Sequence, residues 1–211
     1  MTALVNPSGR LIHYSRKTEK LEVLLDNLWF ANGIALSPTE DFVVVAESHR
    51  SRLMRVWLVG PKKGETDIFI DGLPGAPDNL SFDDRGIWIA LATAADESHP
   101  MVPHLLAPYP KIRKFLVRLL ELIRFPFEFI SSVYPNSITN SFNREFGSMD
   151  TISFIIPARR SIIRLDWVGQ VLKSYHGSDK SSGVITHILD HGDHLLLGSV
   201  TNNFIVKVAH A

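Results

Sequence analysis

Short apolar runs recur along the chain, cut by turn signals. Leu11–Tyr14, Leu21–Leu25, Gly33–Leu36 and Phe42–Ala46 make a first round. Leu53–Trp57, Asp67–Ile70, Asn79–Phe82 and Ile87–Leu91 make a second, with breakers at Ser37-Pro38, Gly60-Pro61, Gly72, Pro74-Gly75 and Asp84-Arg85-Gly86. Runs of this length, rich in β-branched and aromatic residues, predict four strands per round. The rounds overlay: Gly9-Arg10-Leu11 on Ser51-Arg52-Leu53, and Leu25-Asp26-Asn27-Leu28 on Ile70-Asp71-Gly72-Leu73. A four-stranded unit repeating every ~40–45 residues is the pattern of a propeller blade.

A third round follows late in the chain: Ser161–Asp166, Gly169–Lys173, Val184–Leu189 and His194–Leu197, with turns at Trp167-Val168-Gly169, His176-Gly177-Ser178 and Asp190–Asp193. Phe204–Val208 reads as the opening strand of a further blade. The expected fold is all-β, a partial β-propeller over residues 1–211 with about three to four blades and a helical and loop insertion at about 94–160. Three rounds are too few to close a ring, because each blade has an apolar face that only a neighbour covers. The expectation is either a piece of a longer protein or self-association through open blade edges.

The insertion opens with a loop carrying Pro100, Pro103, Pro108 and Pro110. From Lys111 to Phe125, Ile112, Phe115, Leu116, Leu119, Leu122 and Ile123 fall on one helical face, while Lys111, Arg113, Lys114, Arg118 and Arg124 make the other face basic. Pro126 is expected to end this helix. Two readings follow: a lid packed on the propeller, which we prefer, or a helix lying on an anionic membrane surface through residues 111–125. Ser131–Asp150 is polar and aperiodic, which predicts a loop.

Composition narrows the chemistry. Lys+Arg and Asp+Glu both number 22, so no broad attraction to nucleic acid follows. The absence of cysteine excludes disulfides, thiolate zinc sites and cysteine nucleophiles. The opening residues Met1–Arg10 contain no apolar signal segment, and the polar groups within Ile112–Ile130 are too many for a membrane span. His187, His191 and His194 lie near Asp190 and Asp193; the spacing matches no compact zinc motif, and a polar hairpin turn is the preferred reading. Asn79-Leu80-Ser81 fits the glycosylation sequon, which we take as coincidental. No Ser-His-Asp triad stands out, and the catalytic residues stay unassigned.

Five stretches, in order, resemble the strictosidine-synthase-like family: Gly9–Tyr14, Phe30–Pro38, Val45-Ala46-Glu47-Ser48, Leu73–Leu80 and His191–Ser199. The resemblance implies a six-bladed propeller with a calcium ion in its central channel. It places the metal ligands on Asn32 and Asp78, with Asn79 as an extra donor. Ca²⁺ is a hard cation that takes six to eight oxygens, so amide and carboxylate groups suit it. Taken without the resemblance, Asn32-Gly33 and Pro77-Asp78 are also ordinary turn pairs. The proton-shuttling glutamate of strictosidine synthase falls here around Thr186 or His187, where no Glu stands, so strictosidine synthesis is not expected. The wider superfamily implies a calcium-dependent hydrolase acting on a small-molecule ester or lactone. The alternatives are a non-catalytic membrane-associated binding propeller or an inactive fragment. By resemblance to the plasma membrane-associated members, the full-length protein faces the lumen or cell exterior.

Overall fold

The computed structural model describes residues 6–95, 105–106, 108–147, 159–177 and 183–210. Met1–Val5, Pro100 and Pro103 of the expected loop, and Ser178 of the expected turn lie outside the described residues. Among the described residues, thirteen strands form four antiparallel sheets. β1 (Gly9–Ser15) pairs with β2 (Lys20–Leu28). β3 (Ala31–Leu36), β4 (Phe42–Glu47), β5 (Arg52–Trp57) and β6 (Thr66–Ile70) form a four-stranded meander. β7 (Gly75–Asp83), β8 (Gly86–Ala94), β9 (Arg160–Leu165) and β10 (Val171–Gly177) form the next. β11 (Ile185–Asp190), β12 (His194–Ser199) and β13 (Val206–Ala209) form the last.

The sheets stack face to face in chain order. β4, β8 and β9 are covered on both faces, and β4 and β8 accordingly read as nearly continuous apolar runs. Every residue of β4 is buried, as is every residue of β9. Alternation along a strand decides which interface each side chain enters. Val43 and Val45 pack against Leu11 and Leu28 of the preceding sheet, while Val44 and Ala46 join Ile87, Ile89 and Leu91 of the following one. On β8 the odd residues point back, and Trp88 and Ala90 point forward to Ile185, Ile188, Leu195 and Leu197. Ile87, Ile89 and Leu91 are fully buried, each contributing roughly 1.5–3 kcal/mol relative to an exposed side chain. This succession of up-and-down antiparallel sheets, each sandwiched between its neighbours, is propeller-blade architecture in an all-β chain.

The strands lie where the hydrophobic pattern placed them, but the sheets are cut two strands later than the overlaid rounds. β3 and β4 pair with β5 and β6, not with β1 and β2. A repeat reports its period and is indifferent to where one unit ends. β4 pairs with β5 along its whole length, from Phe42–Trp57 to Glu47–Arg52, whereas β2 and β3, joined by Trp29 and Phe30 alone, belong to different sheets. Phe204–Val208 likewise does not open a further blade: β13 runs beside β12 as the third strand of its sheet.

The insertion leaves the chain between β8 and β9, which pair with each other. α1 spans Pro110–Val133 and passes through Pro126 rather than ending there. The lost N–H at Pro126 is outweighed by an apolar pattern that continues beyond it. Phe127 stacks on Phe142 at 3.7 Å, and the Asn143 amide donates to the Phe127 carbonyl. α2 (Ser137–Gly147) replaces most of the expected loop. Its start is capped by Asn136, whose Oδ1 accepts from the N–H groups of Ile138 and Thr139 at 3.1 and 3.0 Å. No residue of α1 is buried, and Phe115, Leu122, Phe125 and Phe129 are each more than 60% exposed. The expected lid packed on the propeller is therefore not what α1 forms.

Candidate metal centre

β3, β7 and β11 are edge strands of their sheets, and β7 packs against both β3 and β11. The approach of β3 to β7 is set by Gly33. A Cβ there would lie 2.5 Å from the Asp78 carbonyl oxygen and 2.7 Å from the Asn79 Cα. Asn32-Gly33 and Pro77-Asp78 are thus strand residues in contact, not turn residues. Glycine is required because two backbones touch.

This contact brings Asn32 to Asp78. The Asn32 carboxamide donates to the Asp78 carboxylate and, at 3.4 Å, to Ser48 Oγ. Ser48 donates in turn to the Pro77 carbonyl. Burial pushes the Asp78 carboxyl above its ordinary value, against the hydrogen bonds from Asn32 and the Asn79 N–H and the nearby charge of His187. A desolvated carboxylate with an amide beside it is short of positive charge. That is the electrostatic condition in which a cation binds.

Asn79 is oriented differently. Its Nδ2 donates to the Thr186 carbonyl of β11 at 2.8 Å, leaving Oδ1 free to accept. Ser81 makes a second bridge to β11 through the Ile188 carbonyl. Asn79 therefore ties two inner strands together, and His187 comes from β11 to the neighbourhood of Asp78.

Supporting this floor is a buried glutamate. Glu47, 1% exposed, accepts from Arg52 Nε at 2.6 Å and from the Trp29 N–H at 2.8 Å. It fixes the end of β4 and with it Ser48. Phe30 stacks on His49 at 5.0 Å, and Arg113 of α1 lies over the Trp29 ring at 5.1 Å.

The donors fit calcium in kind and fall short of its number. Asp78 offers up to two oxygens, and Asn32 and Asn79 one each. Six to eight are needed, so water or groups outside these strands must supply the remainder. Asn32 must also turn its amide so that Oδ1 faces the ion.

A model of the strictosidine synthase family matches residues 2–61. Over 206 residues the chain is 46% identical to adipocyte plasma membrane-associated protein Hemomucin of Drosophila melanogaster, covering 98% of this chain and 36% of that protein. The human adipocyte plasma membrane-associated protein is 29% identical over 203 residues, covering 95% of this chain and 42% of its own length. The chain is therefore similar to the strictosidine synthase family in residues 2–61 and to these plasma membrane-associated proteins along nearly all of its length. It spans less than half the length of these two relatives. A calcium-binding protein of Agrobacterium tumefaciens, regucalcin, is similar over 95% of this chain and 48% of its own, at 15% identity and a TM-score of 0.49.

In the strictosidine-synthase-like motifs themselves, three separate stretches meet at one place. Asn32-Gly33, Glu47-Ser48 and Pro77-Asp78-Asn79 build the β3–β7 contact. Glu47 and Ser48 were visible in the sequence as motif residues, but nothing in their local pattern assigned them to the site.

Proposed function

We propose that the chain carries part of a calcium-centred active site that hydrolyses small-molecule esters or lactones. The observation supporting it most is the half-buried Asp78 carboxylate held against Asn32 on adjoining strands. Asp78 and Asn32 would hold the ion, with Asn79 Oδ1 within the same strand segment. Bound calcium would polarise the scissile carbonyl and stabilise the oxyanion. His187, which lies close enough to Asp78 to act on its carboxyl, would in its neutral form take a proton from the attacking water. Glu47 and Ser48 position the floor on which Asn32 rests. The stacked pair of Phe30 and His49 would offer an aryl or acyl group an aromatic surface.

The test is aryl-ester turnover by the full-length protein with calcium and after chelation, alongside D78N and H187A. Turnover should vanish on chelation and in D78N, and fall at least a hundredfold in H187A. Turnover indifferent to the chelator would end this reading.

A second reading, a non-catalytic propeller held at a membrane surface, is favoured by α1. No described helix is long and apolar enough to cross a membrane. Yet α1 combines exposed Phe115, Leu119, Leu122 and Ile123 with five basic residues against Glu121 and Glu128. Such a helix suits the boundary of an anionic bilayer. Sedimentation with vesicles containing phosphatidylserine should carry the protein down, and L119E/I123E should abolish this. Equal binding by that variant would remove the helix from the account.

A further inference from the structure

The β11–β12 hairpin turn places two imidazoles and a carboxylate around one point. His191, Asp193 and His194 each present a ligand atom, and these atoms lie within 4.8 Å of one another. The two rings stack with centroids 4.8 Å apart at 27°. Asp193 Oδ1 contacts His194 Nδ1 and lies 3.6 Å from His191 Nδ1. We propose that this turn binds one late first-row divalent cation of the zinc type, separate from the channel site.

The donor set carries the assignment. Imidazole suits Zn²⁺, Cu²⁺ and Ni²⁺, whereas Ca²⁺ wants hard oxygens. Zn–N and Zn–O bonds of about 2.0–2.2 Å put neighbouring tetrahedral ligands roughly 3.3 Å apart. His191 and Asp193, at 3.6 Å, already lie near that spacing, while Asp193 and His194 must part slightly to admit the ion. His191 and Asp193 have the freedom to adjust, with side chains 66% and 78% exposed, while His194 is held at 14%.

The backbone beneath them is set in advance. The His191 N–H donates to the His194 carbonyl at 2.9 Å, and Gly192 takes φ +91°, a conformation open to glycine. The Gly192 N–H donates to Asp190 Oδ1. Asp190 is itself gripped by Trp88 Nε1 at 2.9 Å and by His210 Nε2 at 3.0 Å. The base of the turn therefore stays closed while its tip adapts. Three protein ligands leave a fourth position for water or a further donor. His191 is four residues from His187, about 13 Å along an extended strand, so the two sites are distinct.

Calorimetric titration of the metal-free protein with Zn²⁺ in excess Ca²⁺ tests this. The expected result is one equivalent bound, at least tenfold weaker in H191A and lost in H191A/H194Q. His191 is exposed, so H191A keeps the fold, and a circular dichroism melt checks both variants. Absence of binding to the wild type, or undiminished binding to the double variant, overturns the proposal, whatever the outcome at Asp78.

Discussion

Gly33 and Asp78 touch through their backbones: a Cβ on Gly33 would meet the Asp78 carbonyl oxygen at 2.5 Å. Substituting alanine forces β3 away from β7 and disturbs the Asn32–Asp78 hydrogen bond with it. G33A should destabilise the chain by roughly 1–3 kcal/mol, the range for overpacking a close contact. Chemical denaturation measures it, and an unchanged midpoint would show that the two strands have room to spare.

Asp78 should reverse its effect on stability with calcium. Its carboxyl is raised by burial. A carboxyl raised in the folded state favours folding when protonated, fully so below the ordinary carboxylate range. That contribution is lost as pH rises through the raised value. At neutral pH without calcium the ionised group is a cost, so D78N should match or exceed the wild type in thermal stability. With calcium about a hundredfold above its dissociation constant, the wild type should gain roughly 2.7 kcal/mol and overtake D78N. The same order in both melts would argue against a cation at Asp78.

Glu47 is buried and paired with Arg52, and it also accepts from the Trp29 N–H. Removing one partner of such a pair leaves the other without its counter-charge. E47A should cost about 3–5 kcal/mol, and E47Q less, because it keeps an acceptor for the Trp29 N–H. Equal stability of E47A and wild type in urea would contradict this role.

Asp190 contributes to the acid limb of stability, as do Asp41 and Asp67 with their own lowered carboxyls. Burial would raise the Asp190 carboxyl, yet hydrogen bonds from His210, the Gly192 N–H and Trp88 outweigh burial and lower it to about 2. A lowered carboxyl contributes stability that is present above the ordinary carboxylate range and lost as pH falls from about 4 towards about 2. H210A should therefore be less stable at mildly acidic pH and show a shallower loss below it. Denaturant midpoints across that window test this; parallel curves for the two proteins would rule out the His210–Asp190 contact as the cause.

The strands were legible because each is a short β-branched or aromatic run bounded by Gly, Pro or Asp, and local spacing alone carries that signal. Phe42–Ala46 and Ile87–Leu91 even reveal, by lacking alternation, that they are covered on both faces. Asn32 and Asp78 were legible as a pair through motifs that resemble those of a known family. The division of strands into sheets was not, because a periodic sequence looks the same from any starting strand. Nor was α2, whose weak periodicity is rescued by the Asn136 cap and by Phe142 stacking on Phe127. The joining of Asn79 to Thr186, of Glu47 to Trp29 and Arg52, and of Asp190 to Trp88 and His210 was decided by tertiary structure. Hydrogen bonds and ion pairs across sheets depend on where distant strands come to lie, and no local pattern of residues encodes that distance.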